Sequence, residues 1–376
     1  MNAPRKIGAG AANDPAKVAA FAALFDRHPS SALIANLDTR VETVEVGGQV
    51  FPLTLNDRDQ RGNCYICRPS AAYIDYGLEE TRHFVSHAVL RAATRALIRS
   101  ATPVLRLSGL DHQVQVNNWL LSTNPVPSLD RANVAHLRDT LLNAHPDRAI
   151  VLRSLNALAD AATMAALRAE GFTLLPARQV YFFADRSDRP RLSRDMTRDR
   201  KLLDDTSHEM VGNGDFLAED YARAADLYAM LYLDKYTPLN PRYTALCVAE
   251  WHRAGIIEML GLRERESGAL VAVTGMFLSG TTLTQPIVGY DTTRPQSEGL
   301  YRMMMAASQR RASEEGLFFN MSAGAAGFKR SRGAVPVVEY TAVHVRHLPP
   351  SARGSVAVME ALLRRVGVPL LERFGL

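Results

Sequence analysis

The residues best placed to do chemistry lie in one stretch: Gly289-Tyr290-Asp291, a turn, then Arg294-Pro295-Gln296-Ser297-Glu298-Gly299-Leu300-Tyr301. A glycine in a loop that feeds a helix lets backbone N–H groups approach an anion, and the helix N-terminus adds partial positive charge. The stretch reads as a phosphate seat built from Arg294, Gln296, Ser297, Gly299, Leu300 and Tyr301. A Pro-Gly loop capping a surface helix is the plainer alternative. A second stretch, Tyr232 to Tyr243, is dense in tyrosine, carries Asp234, Lys235 and Asn240, and is closed by Pro238 and Pro241. Between two helices it suits a small polar ligand held by Tyr232, Asp234, Lys235, Tyr236 and Asn240, or else a packed helix connection.

Other chemical patterns fall away on spacing. Cys64 and Cys67 lie in NCYICRP, which reads as a strand, where an odd spacing sends the two thiols to opposite faces, and no second pair completes a zinc site. His83 and His87 share a helix face but lack the glutamate of a zinc-protease motif, so no metal site is expected. Ser322 lacks the glycine two residues earlier that a nucleophile elbow needs. Met303-Met304-Met305 is explained by core packing, and Asn117-Asn118-Trp119 by a strand end with a half-buried Trp.

The elements that must position these residues follow from pattern. The chain has 376 residues, 47 % of them apolar, which suits two domains or one large one with an ample core. A net charge of +5, from 44 cations and 39 anions, permits an anionic ligand without announcing nucleic acid. Three cysteines suit a reducing compartment, and no run of eighteen apolar residues would span a bilayer. With no apolar segment behind the first basic residues, the location expected is cytoplasmic. A helix is expected over Pro15–Arg27, then a hairpin of VETVEV and QVFPLTL around Gly47-Gly48. NCYICRP, VLRLSGL, VQVNNWLL, AIVLRSL and FTLLPARQVYFFAD read as strands, with helices over Gly77–Arg99 and Asp160–Glu170. Arg186, Arg189, Arg191, Arg194, Arg198, Arg200 and Lys201 crowd the middle of the chain, where a seam between domains 1–185 and 186–376 is placed. Beyond the seam come helices over Ala218–Tyr232 and Thr244–Ala254 and an antiparallel meander from IIEMLGLRER to TLTQPIVGYD. A helix over Glu298–Glu315, strands LFFNMS and VVEYTAVHV, and a helix over Val356–Val366 ended by Gly367 and Pro369 complete the chain. The fold class is α+β, two similar layers of mostly antiparallel sheet flanked by helices.

Meander, glycine loop, helix, strand is the order of the GNAT acyltransferase superfamily, and here the chain resembles it in detail. Gln296-Ser-Glu-Gly299-Leu-Tyr301 resembles the family's Q/R-x-x-G-x-G/A signature for the donor's pyrophosphate, with Tyr301 where a small residue is usual. Asn320, then Ala325, Phe328 and Gly333, resemble the closing Asn and A-x-x-F/L-Y-x-K-x-G-F frame, with Lys329 in the place of the general-acid tyrosine and Ala334 in that of the last Phe. The Phe328-Lys329 pair is similar to the closing motif of Fem-type aminoacyl transferases and related tandem GNAT proteins. The likeness runs over Arg198–Arg346 and is architectural before that.

The resemblance implies two GNAT-like domains and transfer of an acyl group from acyl-coenzyme A, a co-substrate rather than a tightly bound cofactor, to a primary amine of a small molecule. Lys329, Tyr290, Glu298 and Asn320 are then the catalytic candidates, with Phe328 joining the donor residues. Lys329 would stabilise charge that develops in the transition state, or else belong to a solvated basic loop with Arg330 and Arg332. Amide formation needs a neutral amine, and Tyr290, Asp291, Glu298 and Glu339 are the candidate bases. None stands out, because the desolvation that tunes a carboxylate is invisible in sequence. Charged tRNA is the alternative donor. A catalytically silent binding protein is kept open by the absent tyrosine, and no DNA partner is expected.

Overall fold

A computed structural model describes residues 12–58, 60, 62–84, 87–187 and 190–375. The strands are β1 (Arg40–Val46), β2 (Gln49–Asn56), β3 (Gln113–Val116), β4 (Ala149–Asn156), β5 (Thr173–Phe183), β6 (Glu209–Val211), β7 (Glu258–Arg263), β8 (Leu270–Ser279), β9 (Thr282–Tyr290), β10 (Phe318–Asn320) and β11 (Val335–His344). They form one sheet in the order β1-β2-β3-β4-β11-β5-β10-β9-β8-β7-β6. Pairing is antiparallel except at β3/β4 and β9/β10. Each half of the sheet is therefore a meander that ends in one parallel pair. This is a mixed α+β architecture, as the patterning implies.

The sheet does not part at residue 185. β11, from the second half of the chain, lies between β4 and β5 and bonds both, with Val343 opposite Val151 on one side and Thr173 on the other. The helix Pro15–Arg27 behaves in the opposite sense: Val18, Phe21 and Leu24 share a core with Trp119, Tyr221, Trp251 and Phe277. Each half thus borrows an element from the other. Met303, Met304 and Met305 are buried side chains of the helix Leu300–Glu314, as core packing requires.

Several local expectations are corrected. NCYICRP forms turns rather than a strand, with the Cys64 N–H bonded to Asn36 O. VLRLSGL is a helix, Thr102–Ser108, because Pro103 sits in its first turn, where a missing N–H does no harm. VQVNNWLL leaves the sheet after Val116, and Trp119 is fully rather than half buried. The Gly77–Arg99 helix is two, Gly77–Phe84 and Ala88–Ser100, the second capped by His87. Gly367 and Pro369 do not end the chain's last helix. A π-helical turn, Leu363–Gly367, leads into Val368–Phe374, again with proline at a helix start. Helices Arg131–Ala144 and Arg194–Asp204, capped by Asp130 and Ser193, were not expected. Arg189 and the side chain of His83 lie outside the described residues.

Candidate functional site

The parallel pair β9/β10 is short. Registered pairing runs from Phe318 opposite Thr282 to Asn320 opposite Thr284, and there it stops. Pro286, two residues on, has no N–H to offer a neighbouring strand. The strands part, and a cavity of about 210 Å3 opens between them. Gln285, Val288 and Tyr290 line one arm, and Met321 to Ala325 line the other. Gly289 brings down the roof, since a β-carbon there would lie 2.4 Å from the backbone of Leu227. That contact seats the helix Asp220–Ala229 on β9 and presents Tyr228 and, from the π-helical turn Met230–Asp234, Tyr232 to the cavity.

Of the residues expected to hold a polar acceptor, Tyr232, Lys235, Tyr236 and Asn240 line this cavity. Lys235 Nζ lies 3.5 Å from the Tyr290 hydroxyl. Asn240 Nδ2 donates to Tyr232 O, which ties the loop to the turn before it. Asp234 is exposed and does not reach the cavity.

Lys329 also reaches it. Its side chain is buried, and Nζ donates to Ser322 O at 3.1 Å and Ala323 O at 2.7 Å, so it is no member of a solvated loop. Burial, and then the Arg178 charge, pull its ammonium down to about 7. The turn it holds is strained, with Ser322 at φ 59° and Ala325 at φ 51°, a conformation that disfavours any side chain. Asn320 supports the same turn, its Oδ1 accepting from Ser322 N at 2.9 Å, and is buried away from the cavity.

The far wall is Arg178, on β5. Nε donates to Glu339 Oε1 at 2.9 Å, and Nη2 to Ser122 O at 2.6 Å and Thr123 Oγ1 at 2.9 Å. Beside it stands Glu80, half-buried on the helix Gly77–Phe84. Burial pushes its carboxyl up to about 7 against the pull of Arg178. Sequence reasoning missed Glu80, and no local signal marks it: Glu79 and Glu80 look like ordinary acidic residues of a first helical turn.

The expected bases fare differently. Asp291 accepts from Thr293 and from Arg223 at 2.8 Å; these bonds outweigh burial and hold its carboxyl below the usual range. Glu298 is bound to Arg294 at 3.2 Å, and Glu339 to Arg178, so both carboxylates are already committed to arginines. Tyr290 alone of the four faces the cavity.

The phosphate-seat loop lines a separate cavity of about 240 Å3, with Arg294, Gln296, Gly299, Leu300, Tyr301 and Phe328 around it and Ser297 and Glu298 outside it. The N–H groups of the first turn of Leu300–Glu314 have no partner within the helix. Gly299 adopts φ 69°, and a β-carbon on it would lie 2.5 Å from Leu202 of the helix Arg194–Asp204. Arg294 is shared between Glu264 and Glu298, which leaves it little free charge for an anion. Tyr301 stands between the two cavities, its ring 6.0 Å from Tyr290 and 5.1 Å from Phe328, and all three residues line both.

No family model matches the sequence, and no curated protein does. Solved structures do match. FemX superposes with a TM-score of 0.52 at 10 % identity, over 89 % of this chain and 93 % of its own. L-PGS from Bacillus licheniformis gives 0.50 at 12 % identity, over 93 % and 98 %. A tandem GNAT protein from the clavulanic acid biosynthesis pathway gives 0.38 at 15 % identity, over 89 % and 97 %. From one end of the sheet to the other, the chain has the tandem GNAT-like fold that its motifs imply, similar to that of FemX and L-PGS.

Proposed function

We propose that the protein transfers an acyl group from acyl-coenzyme A to the primary amine of a small acceptor, in the cavity between β9 and β10. The observation that carries this reading is the pair of groups facing that cavity, the Glu80 carboxyl and the Lys329 amine, both brought to about 7 by burial. Donor phosphates sit at the first turn of Leu300–Glu314, and the donor chain crosses the aromatic wall of Tyr290, Tyr301 and Phe328 to the reacting centre. Glu80 takes the proton from the acceptor ammonium. The freed nitrogen bonds the thioester carbonyl carbon, the carbon–sulfur bond breaks with protonated Lys329 lending positive charge to the departing thiolate, and the proton that the nitrogen sheds on becoming an amide ends on that thiolate.

The pH profile tests this directly. Glu80 must be ionised and Lys329 protonated, so turnover rises toward about 7 and falls beyond it. Glu80→Gln removes the acidic limb and Lys329→Met the basic one, each with a loss of roughly a hundredfold in turnover. Turnover within threefold of the parent in both variants would overturn the reading.

A second donor, charged tRNA, is favoured by one feature. Arg191, Arg194, Arg198 and Lys201 are exposed along and just before the helix whose Leu202 touches Gly299, which sets exposed cations beside the donor loop. With a tRNA donor making six phosphate contacts, the rate would fall by roughly a thousandfold or more between 50 and 200 mM salt. With acyl-coenzyme A the slope is shallow.

A further inference from the structure

We infer that a second, apolar chamber beside the acyl-transfer cavity binds a linear alkyl chain carried by one of the two substrates. The chamber measures about 230 Å3. It lies between Ile98 of the helix Ala88–Ser100, Ala177 of β5, and Leu363, Leu370, Leu371 and Phe374 of the last helices.

Its position gives it a use. The wall it shares with the acyl-transfer cavity is Tyr65, Tyr76, Glu80, Arg178 and Ala323. Glu80 and the Arg178–Glu339 pair stand at that inner end; Tyr73, Thr81, Thr94, Arg153 and Thr341 add polar groups to a lining whose outer part, from Ile98 to Leu370, Leu371 and Phe374, is hydrocarbon. A substrate with a reactive polar head and an apolar tail matches this polarity, head inward and tail toward the last helices. The backbone carries a second, independent sign. π-Helical turns at Ala71–Tyr76, Met230–Asp234 and Leu363–Gly367 each put a side chain, Tyr76, Tyr232 and Leu363, into one or both cavities. Such turns are rare, and they gather at functional sites.

The chamber's size limits the chain. At roughly 30 Å3 for a methylene-sized group, the share of a water in the liquid, it holds about eight. The apolar part of the wall favours each carbon that enters, so affinity rises with chain length up to that limit. The attachment of the chain to a transferred or accepting group rests on the acyl-transfer reading; its binding does not.

The test is calorimetric titration of the full chain with two pairs of probes, acetyl- against octanoyl-coenzyme A and ethylamine against octylamine. One of the eight-carbon probes is expected to bind roughly a hundredfold or more tighter than its two-carbon partner. The pair that responds tells whether donor or acceptor carries the chain. Leu371→Trp, which fills the chamber, should erase that gain and leave two-carbon affinity unchanged, while Leu371→Ala should extend it to longer chains. If neither eight-carbon probe gains, or the gain survives in a Leu371→Trp variant that melts like the parent, the inference falls. Both results are read without turnover. They therefore stay distinct from failure of the acyl-transfer reading, which shows only in the Glu80 and Lys329 pH profiles.

Discussion

In the first half of the sheet, β3 leaves β4 after Val116 pairs with Leu152, and the departing chain folds straight back into the gap. Trp119, Leu120 and Leu121 are all within 1 % of full burial there. Asn118 Nδ2 reaches Thr54 on β2, and Asn124 N reaches Ser154 on β4. In the second half, β10 leaves β9 after Asn320, and the departing turn instead stands back, held by Lys329. The two partings share a topology and differ in what the next eight residues bring. Apolar side chains turn one into core. Small residues over a buried cation leave the other open. The filled gap still serves the open one: Ser122 and Thr123, at the end of the plug, bond Arg178, and Thr123 bonds Ser322 across the cavity. One half of the molecule has become a wall for the other.

The sharpest way to break this comparison is to empty the filled gap. Trp119→Ala should lower stability by about 3–5 kcal/mol, as for large aromatics lost from a core, with the denaturation midpoint as readout. A loss below about 1 kcal/mol would mean that the plug is not core at all. The open gap should instead respond to pH. Lys329 titrates near 7 when folded and at its ordinary 10.5 when unfolded, so the unfolded chain holds more protons between those values and stability rises there with pH. Glu80 works the other way: with its carboxyl raised from 4.5 to about 7, its stabilising contribution is lost as pH climbs through 7. Unfolding measured against pH should lose the upper rise in Lys329→Met and the lower decline in Glu80→Gln. The smallest effect belongs to Asp234→Ala, which should change stability by less than about 0.5 kcal/mol and leave turnover unaltered, since the carboxylate faces solvent.

The sequence makes one gap more legible than the other. Gly299 announces itself as a glycine in a loop that feeds a helix, and Phe328 and Lys329 through the resemblance to the closing motif of Fem-type and tandem GNAT proteins. The hairpin and the second meander are equally plain, since their apolar runs are bounded by the turn glycines Gly47-Gly48, Gly268 and Gly280. Glu80 is not legible. Its character comes from burial among Arg178, Tyr76 and the chamber walls, brought together from positions up to about 300 residues apart. The plug misleads for a related reason: VQVNNWLL alternates like a strand, yet Asn117 and Leu120 take positive φ and turn the chain back, stabilised by partners on β2 and β4 that local pattern does not contain. Helices Arg131–Ala144 and Arg194–Asp204 carry capping residues that the sequence does display, Asp130 and Ser193.

The insertion of β11 between β4 and β5 governs the order in which the molecule can assemble. As the chain leaves the ribosome, β4 and β5 emerge more than 150 residues before the strand that must join them. Until Val335–His344 arrives, each presents an unpaired edge, rich in Val, Leu and Ile, that invites wrong pairing. The contacts that close the sheet are among the longest-range in the protein, and such contacts are slow to form. Nascent chains stalled before residue 335 should therefore stay protease-sensitive throughout the first half, and the N-terminal layer should become resistant only when β11 is released.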